Sequence, residues 1–188
     1  MKEIALHILD ITQNSIRAGA DEISITLNES LASNTLILCI SDNGKGMEPE
    51  ICAHAADPYF TSRTTRKVGM GLPLLQLNAR LAGGDMTIQS VPEQGTSVTA
   101  TFIYNHVDRP PLGDISGTIA LIILSNPGIN VVFTHICEGS EWSISTSEIK
   151  EQLGDDAVKD LSIVRYLREI IYENATELRN NKAGYDKY

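Results

Sequence analysis

Asp10-Ile11-Thr12-Gln13-Asn14-Ser15-Ile16-Arg17-Ala18-Gly19-Ala20 closes the first helix of the chain and carries an uncommon set of polar groups. Asp10, Asn14 and Arg17 are spaced i, i+4 and i+7, so they stack on one side of a helix. Glu3 and His7 extend the same stripe toward the N-terminus. Ile4, Ile8 and Ile11 mark one apolar flank, and Ala5, Leu9 and Ile16 the other. This pattern predicts a helix over 2–18 with Gly19 as its stop. The stripe offers one carboxylate, one neutral amide and one guanidinium. An Asn carbonyl is a hard ligand suited to Mg²⁺, a carboxylate orients water, and Arg pairs with phosphate. On its own, the stripe is also what a solvated helix face shows.

Downstream, Glu22–Leu27 and Thr35–Ile40 read as strands joined by a polar hairpin. A turn-rich loop follows, and a short helix is expected from about 48 to 56, with Pro49 in its first turn. Residues 57–71 lack periodicity and hold Arg63, Arg66 and Lys67, which predicts a loop. A helix over about 72–82 ends at Gly83-Gly84, and residues 86–90 and 96–103 form a closing hairpin. The expected organisation is a first α/β unit over 1–104, a Pro110-Pro111 linker over 105–113 and a small α/β unit over 114–188. In that last unit a helix is expected over 114–124, strands over 129–137 and 141–145, and helices over 147–153 and 161–179. Trp142 is read as a core residue.

Two glycine-bearing loops could meet a ligand. Asp42-Asn43-Gly44-Lys45-Gly46 leaves a strand with two glycines one residue apart, which permits close backbone approach. An acid at that strand end accepts a hydrogen bond from an exocyclic amine such as that of adenine. The same letters make an ordinary D-N-G turn. Gly69-Met70-Gly71-Leu72 opens a helix, where free N–H groups and the helix dipole favour phosphate. It is neither a Walker A loop nor a GxGxxG fingerprint. Gly95-Thr96 enters the last strand of the hairpin; Gly95 is also a plain turn residue, and Thr96 brings a hydroxyl toward the acid.

Taken in order, these segments resemble the superfamily that joins gyrase B, the ninety-kilodalton heat-shock chaperone, histidine kinases and the mismatch-repair ATPase. Asp10–Ala20 is similar to its N box and Asp42–Gly46 to its G1 box. Asp57-Pro58-Tyr59-Phe60-Thr61-Ser62-Arg63 is similar to the F box, Gly69–Leu72 to G2 and Gly95-Thr96 to G3. Each box is weakly specific, whereas five in family order within about a hundred residues are strongly so. The resemblance implies an α/β Bergerat fold, an α+β two-layer sandwich with a mixed sheet covered on one face by helices. It implies Mg²⁺ and ATP as cofactors. Asn14 would hold Mg²⁺, and Asp42 would accept the adenine amine with help from Thr96. Gly44 and Gly46 would shape the adenine end. Gly69, Met70 and Gly71, followed by Leu72, would present backbone donors to the phosphates. Residues 57–68 would form a short lid, bringing Phe60 and the cations Arg63, Arg66 or Lys67.

Asp10 departs from both branches of that superfamily. Hydrolytic members carry Glu there as general base, and histidine kinases usually carry Asn. Asp10 keeps a carboxylate on a shorter stem and is the candidate catalytic residue. Arg17 and Phe60 match the kinase pattern. No helical hairpin bearing a phosphoacceptor histidine is expected, and none of His7, His54, His106 or His135 stands in an acceptor context. The expected function is a stand-alone kinase-type module passing the γ-phosphate to a partner protein. The alternatives are a slow ATPase or nucleotide-gated interaction module using Asp10, and a domain of this fold that has lost nucleotide binding. The last 75 or so residues resemble, more loosely, the C-terminal extension of small bacterial ATP-binding proteins, and a homodimer is a further expected partnership.

Composition sets the outer limits. The 188 residues carry a net charge of −9, which argues against broad binding to nucleic acid or anionic membranes. No apolar run approaches the ~20 residues needed to span a bilayer, and the first residues lack a signal-peptide pattern. Cys39, Cys52 and Cys137 are widely spaced, as expected of reduced thiols in a cytoplasmic protein.

Overall fold

The computed structural model describes residues 2–57, 70–154 and 161–180, the side chains of residues 161 and 162 excepted. Its elements are α1 (Ile4–Arg17), β1 (Glu22–Ser30), β2 (Thr35–Asp42), α2 (Pro49–His54), α3 (Gly71–Leu81), β3 (Asp85–Val91), β4 (Gly95–Ile103), α4 (Ile115–Ser125), β5 (Asn130–Cys137), β6 (Ser140–Ser145), α5 (Thr146–Leu153) and α6 (Leu161–Asn180). The six strands form one sheet in the order β3-β4-β2-β1-β5-β6. All neighbours are antiparallel except β1 and β5, which run parallel from Glu22↔Asn130 to Glu29↔Cys137.

Strand alternation decides which face is covered. Ile23, Ile25 and Leu27 of β1, Leu36, Leu38 and Ile40 of β2, and Val131 and Phe133 of β5 point to one side and are buried. Against them lie Ile4, Ile8 and Ile11 of α1, Leu75 and Ala79 of α3, Ile119, Ile122 and Ile123 of α4, and Leu167 and Ile171 of α6. The intervening strand positions, such as Ser24, Thr26 and Thr35, remain partly exposed on the opposite face. The expected two-layer α+β sandwich with a mixed sheet is therefore the architecture of this chain.

The segment expected as a linker is tied into the first helix. An α-helix leaves its first N–H groups without intrahelical partners, and Glu3 makes no side-chain cap on α1. Instead Ile4 N–H donates to Pro111 O at 3.0 Å and Ala5 N–H to Leu112 O at 2.9 Å. Arg109 sits 4.8 Å from the Tyr104 ring and donates to the carbonyls of Tyr104 and Pro110. Beyond it, the described residues of 114–180 build no sheet of their own. β5 joins the N-terminal strands, and α4 contributes to the same apolar core as α1.

At the end of β1, Glu29 is wholly buried and accepts from His135 Nε2 at 2.7 Å and from Arg179 Nε at 3.0 Å, with Arg179 Nη2 on the same oxygen. Burial alone would push the Glu29 carboxyl up. The bonds and charges of His135 and Arg179 outweigh it and hold the group below its ordinary value. This cluster fastens the last turn of α6 to β1 and β5. Removing Arg179 would leave the buried Glu29 carboxylate its His135 bond but take away its guanidinium countercharge, at about 3–5 kcal/mol. Arg179→Met is expected to lower unfolding free energy by that amount in urea titrations at pH 7. A loss below about 1 kcal/mol would show that the cluster contributes little.

Candidate functional site

A cavity of about 300 Å³ opens where the C-terminal end of β2 meets the C-terminal half of α1. Its walls come from Asp10, Ile11, Asn14, Ser15, Arg17 and Ala18 of α1, and from Gly71, Leu72 and Pro73 of α3. Ile40, Asp42, Thr96 and Val98 of the sheet form its floor. Lys45, Gly46, Met47, Ile51 and Ala55 close the remaining side. Four segments distant in sequence thus bring one carboxylate, the polar stripe of α1 and a helix N-terminus to one place.

Asp42 is held from two directions. Ser15 Oγ donates to Asp42 Oδ2 at 2.5 Å, and the Gly44 N–H donates to Oδ1 at 3.0 Å. A carboxylate oxygen accepts more than one bond, so this acid keeps capacity for a ligand N–H. Around it, Ile40, Val98, Met47, Ile51 and Ala55 make an apolar slot. A flat heterocycle bearing an exocyclic amine suits such a slot. Gly95 permits the turn that brings β4 beside Asp42. Its φ is +113°, and a Cβ there would lie 1.8 Å from the Asp42 carbonyl oxygen.

At the other end, Asp10, Asn14 and Arg17 line the cavity together, as their spacing predicts. Arg17 Nη1 donates to Asn14 Oδ1 at 3.0 Å and Nη2 to Gln13 Oε1 at 3.2 Å. The guanidinium is thereby folded along its own helix. The Asp10 carboxylate lies so near Gly71 that a Cβ on that residue would meet Asp10 Oδ2 at 1.7 Å. Gly71 and Leu72 are the first residues of α3, whose N–H groups have no intrahelical acceptor. Met70, half exposed, precedes them at the cap.

Residues 2–105 match the family model described as histidine kinase-, DNA gyrase B-, and HSP90-like ATPase. The chain belongs to this family. Among its relatives, the sensor protein kinase FleS of Pseudomonas aeruginosa is 33% identical over 108 residues, covering 57% of this chain and 26% of that protein. The C4-dicarboxylate transport sensor protein DctB of the same organism is 37% identical over 99 residues, covering 52% and 16%. Sporulation kinase D of Bacillus subtilis is 28% identical over 94 residues, covering 50% and 18%. The chain thus spans about a quarter or less of the length of these relatives. The crystal structure of the N-terminal domain of a DNA repair protein shares the fold, with a TM-score of 0.56 at 16% identity, over 77% of this chain and 52% of that one.

Thr96 lines the cavity as expected of a residue near Asp42, and its hydrogen bond goes to a neighbouring strand. Thr96 stands opposite Asp42 in the β2–β4 register, yet its hydroxyl bonds Ser90 Oγ at 2.9 Å. Ser90 in turn accepts the Met47 N–H at 2.8 Å. The hydroxyl that reaches Asp42 is that of Ser15, buried on the inner flank of α1 and not singled out from the sequence. Its only sequence signal is its place beside Asn14. Lys45, between the two glycines of the first loop, also lines the cavity. Phe60, Arg63, Arg66, Lys67 and Gly69, with most of the expected lid, lie outside the described residues. Among the described residues no group of three His, Cys, Asp or Glu side chains could hold a metal ion.

His7 does not belong to the solvated stripe. It is wholly buried, its Nε2 is 2.9 Å from Asn78 Nδ2, and its Nδ1 has no partner. Burial, aided by the positive N-terminus, lowers its pKa from 6.5 to about 4. The folded state therefore prefers the neutral ring, while the unfolded chain takes up a proton below pH 6.5. Stability is full above that pH and falls as pH drops from 6.5 toward 4, by about 3 kcal/mol at most. Urea midpoints at pH 7 and pH 5 are expected to show this loss in the native chain and not in His7→Gln. In a second experiment, Gly71→Ala is expected to push the Asp10 carboxylate aside at a cost of about 1 kcal/mol or less, since the new Cβ meets the free end of that side chain. Asp10→Ala/Gly71→Ala should recover most of it, and equal melting of the single and double variants would exclude the contact as the cause.

Proposed function

We propose that the cavity binds Mg²⁺·ATP and that the protein passes the γ-phosphate to a partner protein. The doubly anchored Asp42 carboxylate, set in an apolar slot at one end of a cavity whose other end is lined by Asp10, Asn14, Arg17 and the N-terminus of α3, carries this reading. Asp42 accepts the adenine amine, and Ile40, Met47, Ile51 and Val98 exclude water from the ring. The first N–H groups of α3 face the phosphates with the positive end of the helix dipole. Asn14 would hold Mg²⁺ through its amide oxygen, the kind of hard oxygen donor this ion takes. Bound there, the ion would supply charge neutralisation along the phosphate chain. Arg17, now bonded to the Asn14 amide, releases that bond and turns to phosphate when Asn14 is engaged.

A second reading follows from Asp10. Its carboxylate sits beside Gly71, at the phosphate end of the cavity, where it can orient a water for slow hydrolysis. Calorimetry with Mg²⁺·ATP tests binding: Asp42→Asn is expected to weaken affinity about tenfold or more, since an amide N–H₂ meets the adenine amine. Equal affinity would remove Asp42 from the adenine assignment. Incubation with γ-labelled ATP then separates the two readings. Label on a partner protein supports transfer, and free phosphate that disappears in Asp10→Ala supports hydrolysis.

A further inference from the structure

Polar side chains of α1 meet α3 at two places among the described residues, and one of them lies away from the cavity. Asp10 of α1 touches Gly71 at the first position of α3. One turn earlier on α1, His7 Nε2 meets Asn78 Nδ2 at 2.9 Å. Gly71 and Asn78 are seven residues apart, two turns of helix, so they share a face of α3. The pairing order is reversed between the two helices, as in an antiparallel pair. Apolar packing of Leu75 and Ala79 also holds α3, and the two polar side chains of α1 add two fixed points along its length.

The chemistry of the second contact gives it a direction. The Asn78 amide donates to Nε2, which places the ring proton on Nδ1, an atom that is buried without a partner. This bond is thus the only hydrogen bond that His7 makes among the described side chains. An asparagine within a helix also disfavours that helix relative to alanine, and Asn78 is the eighth residue of the 11 in α3. Leu75 and Ala79, on the sheet-facing side of α3, are fully buried and supply apolar contact, which tolerates small slides better than a directional bond does.

We propose that Asn78, through His7, is a positioning residue that sets the N-terminus of α3 against Asp10 and so places the phosphate-facing backbone of the site. This rests on the nucleotide reading above. It predicts a split between the two ends of the ligand, because Asp42 and its slot are anchored by Ser15 and Gly44 and do not depend on α3. In Asn78→Ala, affinity for Mg²⁺·ATP is expected to fall about tenfold or more, as small misplacements of binding groups do. Affinity for adenosine should stay within about twofold, measured well below the melting temperature. Asn78→Asp should restore much of the loss, since the imidazole in its Nε2–H form donates to the new carboxylate. His7→Gln, whose amide oxygen can accept the Asn78 N–H, should likewise retain ATP affinity. Unchanged ATP affinity in Asn78→Ala, or an equal fall for adenosine, overturns the proposal.

One measurement needs no nucleotide. In ¹H–¹⁵N spectra of the unliganded protein, the Gly71 amide resonance is expected to move in Asn78→Ala, two helical turns from the substitution. A stationary Gly71 resonance overturns the proposal even where ATP binds. Native protein that binds neither ATP nor adenosine overturns the nucleotide reading, while a moving Gly71 resonance in the same protein would still support the α1–α3 clamp.

Discussion

Ser15 Oγ donating to Asp42 at 2.5 Å joins the middle of the covering layer to the end of a central strand. Asp42 closes β2, the third strand in the sheet order, and Ser15 lies in the last turn of α1. With Ile4, Ile8 and Ile11 packed on the sheet, this bond leaves α1 one rotational setting. In that setting Asp10, Asn14 and Arg17 line the cavity and His7 turns inward. A helix displaced by one residue would swing about 100° and lose both arrangements.

The other end of α1 depends on the distant half of the chain. Its first N–H groups are satisfied by the carbonyls of Pro111 and Leu112, and α4 packs beside it. That arrangement follows from topology. After β4 the chain must pass to the far side of β1 to lay down β5 in parallel, and a parallel neighbour requires a crossover. The crossover runs through residues 105–113 and α4, past the start of α1. The segment that looks like a linker is thus the cap of the helix that bears the site.

Charge is divided between two places with opposite solvent conditions. At the cavity, Asp10, Asn14 and Arg17 stand at an open wall, with Arg17 bonded to the Asn14 amide. At the far end of β1, Glu29, His135 and Arg179 are enclosed and hold one another. Because water does not compensate there, each member depends on the rest. The first arrangement suits binding, and the second joins strands 1 and 5 to the final helix.

The sequence by itself determined what depends on local periodicity. Alternation in β1, β2 and β4, the stacking of Asp10, Asn14 and Arg17, and the glycines beside Asp42 are set within a few residues, so each was legible. The five ordered boxes made the family legible as well. What only the tertiary structure decided involves groups that are ordinary until a distant partner arrives. His7 has the spacing of a solvated residue and is buried because α3 brings Asn78 over it. Glu29 continues the inward alternation of β1 as a charge, tolerated because Arg179 reaches it across 150 residues. Thr96 stands across from Asp42, yet Ser90 is the nearer hydroxyl, and Ser15 reaches the acid from the helix layer. Short-range geometry is written in spacing, whereas the partner of a buried polar group is chosen by packing.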